Sequence, residues 1–447
     1  MKNFFPSKFD DKLLKEEYLL IKYSYDESPI KGKIPEFVFL PEKNEDLSEF
    51  VKFCFKKNIY ITPRGGGTGL SGGSVPLKGG VISFERMNKI IDVDFVNQTI
   101  TLEPGVITGD INKVLLRENL FYPPDPLSLD SCTIGGNIAT NAGGPRAYKY
   151  GVTSNYLIEL ECVLPNGSIV NIGRGTRKWK TGYNLLNLLC SSEGTLALFT
   201  KIKLKLIPRP EKEVLMVMSF GRNENLFNFV INLIKNKFFP SIIEFMDKGC
   251  VGLVKEKIKE YFPEESSLLF IGFDGSEKEI ESLLEKFYHL VEKEKIEKIF
   301  IGDDKSSVER IWDIRKKMFY ETEKKGFKVH SEDICLTITT AQNFIEDVKN
   351  LFQIYKKEPY IFGHLGDGNI HINLTYKEEE KKSVREISEK IWELVIKRGG
   401  TITAEHGVGY LKKRGFKKET NPFLYKIQRD IKRIFDPKGI LNPGKIF

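Results

Sequence analysis

Pro63-Arg64-Gly65-Gly66-Gly67-Thr68-Gly69-Leu70-Ser71-Gly72-Gly73-Ser74-Val75-Pro76 is the stretch on which the architecture turns. Half of the sixteen residues from 65 to 80 are glycine. A backbone without Cβ atoms can aim several N–H groups at one anion. Gly67-Thr-Gly69-Leu-Ser-Gly72 matches G-x-G-x-x-G, but in a dinucleotide-binding βαβ unit that fingerprint opens a helix. Here Gly72, Gly73, Pro76, Gly79 and Gly80 follow, and then an apolar strand, Val81-Ile-Ser-Phe84. No Lys-Ser/Thr ending marks a P-loop either. The reading that remains is a pyrophosphate cradle of a non-Rossmann type, set against a flexible surface loop.

Upstream, 36–40 reads as a strand. Leu47, Phe50, Val51 and Cys54 recur at helical spacing, and 58–62 reads as a second strand, giving one βαβ unit. A helical stretch is expected over 10–22. Downstream, 100–106 is a strand and turn, 108–118 a helix, and Tyr122-Pro-Pro124-Asp125-Pro126 a stiff turn. A second glycine-rich segment follows, Thr133-Ile-Gly135-Gly136-Asn137-Ile-Ala-Thr140-Asn141-Ala-Gly143-Gly144. Small residues and amides suit a backbone lying close against a large ligand, or a tightly packed turn. Two such loops favour a large phosphate-bearing cofactor. Pro165-Asn166-Gly167 signals a hairpin over 156–173, 199–207 alternates as a strand, and Pro208 and Pro210 mark a domain boundary.

From Glu211 the pattern changes. Strands at 213–220, 241–246, 267–273, 297–301 and 329–338 alternate with helices near 223–236, 249–260, 277–294, 306–325 and 341–356, an α+β pattern without glycine-rich loops. Another strand, 360–363, leads into Gly363-His364-Leu-Gly366-Asp367-Gly368-Asn-Ile-His371-Ile-Asn373. A long helix spans 378–397, and Thr403-Ala-Glu405-His406-Gly-Val-Gly409 follows. Three of the five histidines lie in these two pieces. Imidazoles and carboxylates among glycines suggest a metal-assisted site, hydrolytic or otherwise. Seven residues apart, His364 and His371 would face opposite sides of a straight strand, and Gly366-Asp367-Gly368 supplies a turn that could bring them together.

At 447 residues two or three domains are expected. The six cysteines are dispersed, without zinc-finger or iron–sulfur spacing, which suits a reduced, intracellular protein. The net charge of +8, from 69 basic and 61 acidic residues, reads as mixed along the chain. No nucleic-acid partner is expected. No signal peptide or membrane span is recognised. A cytoplasmic location is expected, with peripheral membrane attachment through a partner compatible. So is either a homodimer or a hetero-oligomer.

Five segments then occur in one order: Arg64-Gly-Gly-Gly-Thr-Gly-Leu-Ser-Gly-Gly-Ser, Gly135-Gly-Asn-Ile-Ala-Thr-Asn-Ala-Gly-Gly, His364-Leu-Gly-Asp-Gly-Asn-Ile-His, Glu405-His-Gly-Val-Gly and Asp436-Pro-Lys-Gly-Ile-Leu-Asn-Pro-Gly-Lys. With them the chain resembles, over nearly its whole length, the FAD-linked 2-hydroxyacid dehydrogenases of the vanillyl-alcohol oxidase/p-cresol methylhydroxylase superfamily. Within it, the glycolate oxidase catalytic subunit, D-lactate dehydrogenase and D-2-hydroxyglutarate dehydrogenase are the most similar types. The resemblance implies an α+β protein with a two-part FAD-binding domain of the p-cresol methylhydroxylase type over 1–209. An α+β (ferredoxin-like repeat) substrate-binding cap would span 210–400, and 401–447 would return to complete the active site. FAD contacts are implied for Arg64, Gly65, Gly66, Gly67, Thr68, Gly69, Ser74, Pro124, Asp125, Gly135, Gly136, Asn137, Thr140, Asn141, Gly143, Gly144, Glu193, Gly194 and Asn442. With no His or Cys in 65–73, noncovalent FAD is expected.

The resemblance further implies a divalent metal, zinc by preference, on His364, His371 and Glu405. It makes His406 the general base, Asn373 a substrate contact and Arg315 a bidentate clamp on the substrate carboxylate. The implied reaction removes the hydroxyl proton of a small D-2-hydroxyacid and passes its α-hydrogen as hydride to flavin N5. Phe319 stands where 2-hydroxyglutarate enzymes tend to have a polar residue, which favours D-lactate or glycolate. Electrons would leave to a quinone, an electron-transfer flavoprotein or an iron–sulfur subunit. The alternatives are an alkylglycerone-phosphate synthase-like flavoenzyme, a D-2-hydroxyglutarate dehydrogenase, and a non-catalytic flavin subunit of an iron–sulfur complex.

Overall fold

A computed structural model describes residues 4–258, 262–263, 265–302, 306, 309, 312–313, 315, 318–323 and 328–447. The chain divides into two compact units. The first comprises Met1–Gly143, Val152–Arg209 and Glu405–Phe447; the second comprises Gly144–Gly151 and Pro210–Ala404. The break after Arg209 lies between Pro208 and Pro210, although Pro208 itself pairs with Leu120 in a short antiparallel ladder. The excursion Gly144–Gly151 carries no such signal. It is held in the second unit by Arg146, 2.9 Å from Glu213, and by Lys149, whose ammonium donates to the Asp274 carbonyl at 2.7 Å. The return to the first unit comes after Ala404.

The first unit holds two larger sheets. In one, Val38–Phe39 and Ile61–Arg64 flank the helix Asn44–Lys57 in sequence, and Gly80–Ser83 lies between them, parallel to both. The helix buries Leu47, Phe50, Val51 and Cys54 as a single stripe, with Phe39 stacked on Phe50 at 3.8 Å. The helix expected over 10–22 is interrupted. Leu13 and Leu14 pair with Phe39 and Val38 as an edge strand, because burying Leu13 against that sheet outweighs local helix propensity. The other sheet is antiparallel, in the order Ile90–Asp94, Thr99–Leu102, Leu198–Lys205, Leu157–Val163, Ile169–Gly173.

The second unit is built on a seven-stranded antiparallel sheet. Its order is Lys298–Gly302, Lys212–Phe220, Ser267–Gly275, Ile242–Met246, Tyr360–His364, Asn369–Tyr376, Lys328–Cys335. Side chains alternate between its faces. Ile243, Phe245, Ile334, Ile361, Ile370 and Ile372 join a buried core with Ala341, Phe344 and Val348 of the helix Ile338–Ile354 and with Val384, Ile387 and Ile391 of the helix Lys381–Lys397. Of the helix expected over 306–325, the described stretch is Met318–Glu323.

Candidate active site

The opposite face of that sheet collects polar groups. Tyr360–His364 and Asn369–Tyr376 form a hairpin that sets His364 opposite Asn369, Phe362 opposite His371 and Tyr360 opposite Asn373. Gly368 makes the turn at φ +78°, and a Cβ there would lie 1.7 Å from the Leu336 carbonyl oxygen, so only glycine fits. The two imidazoles end with ring centroids 5.2 Å apart, nearly perpendicular. Register carries the pattern sideways, with Glu244 opposite His364 and Asp333 opposite His371.

Glu244 is fully buried. It accepts a hydrogen bond from His364 Nδ1, and from Arg315 Nε at 2.7 Å, with the Arg315 Nη2 nitrogen also 2.7 Å away. Nε thus carries the hydrogen bond to Glu244, while Nη2 has no hydrogen-bond partner among the described residues, so the pairing with Glu244 does not use up the guanidinium fork expected to clamp a substrate carboxylate. The guanidinium also lies 4.8 Å from the centroid of Phe362. Asp333, fully buried, lies 3.8 Å from His371 Nδ1. It accepts from the Asn369 amide at 2.7 Å, from the Thr403 hydroxyl at 3.1 Å and from Ala404 N–H at 3.0 Å. Asn373 is completely buried, and neither atom of its side-chain amide has a hydrogen-bond partner among the described residues. Such an orphan is costly unless a ligand satisfies it.

Glu405 and His406 follow Ala404 directly and belong to the first unit, with His406 Nε2 3.6 Å from Glu405 Oε1. The loop they open is fastened at Glu193. The buried carboxylate accepts from Val408 N–H and Gly409 N–H, each at 2.7 Å, and burial pushes its pKa up to about 7. Ser71 of the first glycine-rich loop donates to the Gly407 carbonyl at 2.9 Å and accepts from Tyr410 N–H at 2.8 Å. Asn442 donates to the carbonyls of Gly73 and Glu193, and its own buried Oδ1 has no partner among the described residues.

The two glycine-rich loops meet in this unit. A Cβ on Gly65 would lie 2.3 Å from the Thr133 hydroxyl, and one on Gly66 2.3 Å from the Ser131 carbonyl. These two glycines serve loop-to-loop packing. A Cβ on Gly69 or Gly136 would make only ordinary contact, with nearest atoms 3.9 and 3.4 Å away. Thr133 caps the helix Ile134–Thr140 by accepting from Gly136 N–H at 3.3 Å; the small-residue pattern had hidden this helix. Arg64 donates to the Tyr25 carbonyl at 2.6 Å, and Ser74 to Asp26 at 3.3 Å. Asn137 donates to Thr108, and Asn141 accepts from Ser154 N–H, so both amides have protein partners. Glycine-rich backbone without bulky side chains and an orphaned Asn442 oxygen fit a bound cofactor with backbone-facing phosphates.

A family model for the FAD binding domain matches residues 35–173, and one for the C-terminal domain of FAD linked oxidases matches residues 209–446. The chain belongs to the FAD-linked oxidases. Glycolate oxidase subunit GlcD of Bacillus subtilis (strain 168) is 33% identical to this oxidase, over 99% of this chain and 94% of that one. D-lactate dehydrogenase of Anaerostipes hadrus is 34% identical, over 95% and 92%. Mitochondrial D-2-hydroxyglutarate dehydrogenase of Rattus norvegicus is 30% identical, over 91% and 77%. Substrate-bound p-cresol methylhydroxylase superposes with a TM-score of 0.81 at 17% identity, covering 98% of this chain and 94% of that one. An alkyldihydroxyacetonephosphate synthase superposes at 0.78 and 20%, covering 99% and 84%. These two show the fold. This FAD-linked oxidase is an oxidoreductase of the glycolate oxidase/D-lactate dehydrogenase/D-2-hydroxyglutarate dehydrogenase type.

Sequence reading missed Glu244 altogether and did not place Asp333 in the site. The side chain of Phe319 lies outside the described residues.

Proposed function

We propose that this FAD-linked oxidase dehydrogenates a small D-2-hydroxyacid, D-lactate or glycolate, to the 2-oxoacid. The observation that carries the reading is the buried face on which the orphaned amide of Asn373 sits beside His371 and the Glu244–Arg315–His364 cluster. A compact ligand with both donors and acceptors would satisfy it. The two hydroxyacid-named relatives that match nearly the whole chain support the same class.

Noncovalent FAD, when bound, supplies the hydride acceptor. A divalent ion, zinc by preference, supplies Lewis acidity; two imidazoles and a carboxylate, His364, His371 and Glu405, are a donor set suited to it. Glu244 accepts the hydrogen bond of His364 Nδ1–H, which fixes the ring's tautomer and orientation, a common arrangement around metal-bound histidine. Asp333 accepts from the Asn369 amide, the Thr403 hydroxyl and Ala404 N–H, and so orients the hairpin within the second unit. In this reading His406 takes the hydroxyl proton of the substrate. Asn373 hydrogen-bonds the substrate, and Arg315 clamps its carboxylate by a bidentate pair while Glu244 holds the guanidinium through Nε. The FAD contacts are those of the glycine-rich loops, Pro124, Asp125, Gly194 and Asn442. The electrons leave to a quinone, an electron-transfer flavoprotein or an iron–sulfur partner subunit, from a cytoplasmic enzyme.

Anaerobic mixing with a panel of D- and L-2-hydroxyacids tests this. D-lactate or glycolate should bleach the flavin. His406→Ala should keep its FAD and slow flavin reduction by at least ~10²-fold. An unchanged reduction rate would remove His406 from the role of base. No bleaching by any D-2-hydroxyacid would overturn the activity itself, and fastest bleaching by D-2-hydroxyglutarate would move the substrate to the dicarboxylate.

A further inference from the structure

The helix Pro422–Phe435 shows an apolar face that the fold does not cover. Phe423 is 69% exposed, Ile427 41% and Ile434 78%. At 100° per residue these three fall within about 40° of one another. The helix is fastened by the flank beside this strip and by its far side. Ile431 and Phe435 pack against the core of the five-stranded sheet, Lys432 donates to the carbonyls of Thr195 and Leu441, and Tyr425 meets Phe416 at 5.5 Å. Leu424, 53% exposed, extends the uncovered strip at its start.

The charge around this strip is one-sided. Residues 412–438 hold ten basic and three acidic side chains, a net +7 out of the chain's +8. The excess charge is therefore concentrated and not mixed along the chain. Lys426, Arg429 and Arg433 are exposed on the same helix, and Lys417 and Lys418 on the preceding helix Lys413–Glu419.

We propose that this helix binds an anionic lipid bilayer surface, with Phe423, Leu424, Ile427 and Ile434 in the headgroup boundary and the basic side chains on anionic phosphates. An apolar strip one helix wide with a cationic rim is the pattern of an interfacial helix. No helix among the described residues is long and apolar enough to cross a membrane, so the attachment is peripheral. A second copy of the chain would bring two +7 segments face to face across a twofold axis, which opposes self-pairing. A protein partner would need roughly 800 Å² per side for a stable interface, more than one strip offers.

The test is sedimentation of the flavin-loaded protein with vesicles of phosphatidylglycerol and phosphatidylcholine, against pure phosphatidylcholine. Binding should require phosphatidylglycerol and weaken as salt rises. The variant Phe423→Glu/Ile427→Glu/Ile434→Glu should bind at least ~10-fold more weakly while its flavin is reduced by hydroxyacid at the wild-type rate. That assay in solution keeps a failure of the membrane inference separate from a failure of the hydroxyacid reading. Absence of binding to anionic vesicles overturns the proposal. So does binding that the triple variant retains. Concentration-dependent self-association abolished by the variant, without vesicle binding, would assign the face to a second copy.

Discussion

Glu244 lies 120 residues before His364 in the chain and beside it in the sheet. Its carboxylate balances Arg315 and orients His364 at once, and the two roles can be separated by substitution. Glu244→Gln keeps the shape but leaves the buried guanidinium without its counter-charge, which should cost about 3 kcal/mol or more in urea unfolding. Adding Arg315→Met should recover most of that stability. Retention of the divalent metal proposed for His364 should stay ~10–100-fold weaker in both variants, since the acceptor for Nδ1 is still altered. Metal content at the wild-type level in the double variant would sink the orienting role. His364, His371 and His406 stood out as candidates because a rare residue type clusters among glycines. Glu244 was not, because one glutamate in an apolar strand carries no local mark. Its meaning comes from register, which sequence spacing does not show. Asp333 was hidden in the same way, as one carboxylate of the Glu332-Asp333 pair.

The loop from 405 to 411 shows the same limit one scale up. Its glycines and its histidine were readable, but its anchor was not. Glu193 was expected among the FAD contacts; its carboxylate accepts from Val408 N–H and Gly409 N–H. Burial raises the pKa of Glu193 from about 4.5 to about 7, while those two N–H groups, Lys445 and Lys412 pull the other way. A carboxyl whose folded pKa is raised adds stability that is fully present below the unfolded pKa and is lost as pH rises through the folded one. The stability of the wild type relative to Glu193→Gln should therefore fall by about 3 kcal/mol between roughly pH 4.5 and 7, and level off above. Urea midpoints across that range measure it, and a flat difference would show that Glu193 does not titrate there. Above pH 7 the ionised carboxylate accepts both N–H groups and holds the His406 loop. Below it, a protonated carboxyl offers a poorer pair of acceptors. The hairpin at Gly368 was the opposite case: its turn was legible, because glycine on both sides of Asp367 admits few alternatives.

At the scale of the whole chain, the break between the two units after Arg209 was marked in the sequence by Pro208 and Pro210, although Pro208 itself still pairs with Leu120. The excursion Gly144–Gly151 was not, since its anchors Glu213 and Asp274 lie at the far ends of strands in the other unit. Each unit has its own buried core. Phe39, Phe50, Leu160 and Ile202 serve the first, and Met216, Phe273, Val348 and Ile361 the second. Separate cores unfold as separate cooperative blocks unless docking couples them strongly. Calorimetry should therefore resolve two transitions. The residues matched to the FAD binding domain, 35–173, lie in the first unit apart from Gly144–Gly151. Free FAD in excess should then raise the transition of the first unit, by about 1.4 kcal/mol of stability for each tenfold increase beyond its Kd. The other transition should stay in place. One transition that moves as a whole with FAD would mean that the units unfold together, and that flavin binding is felt across all of the chain.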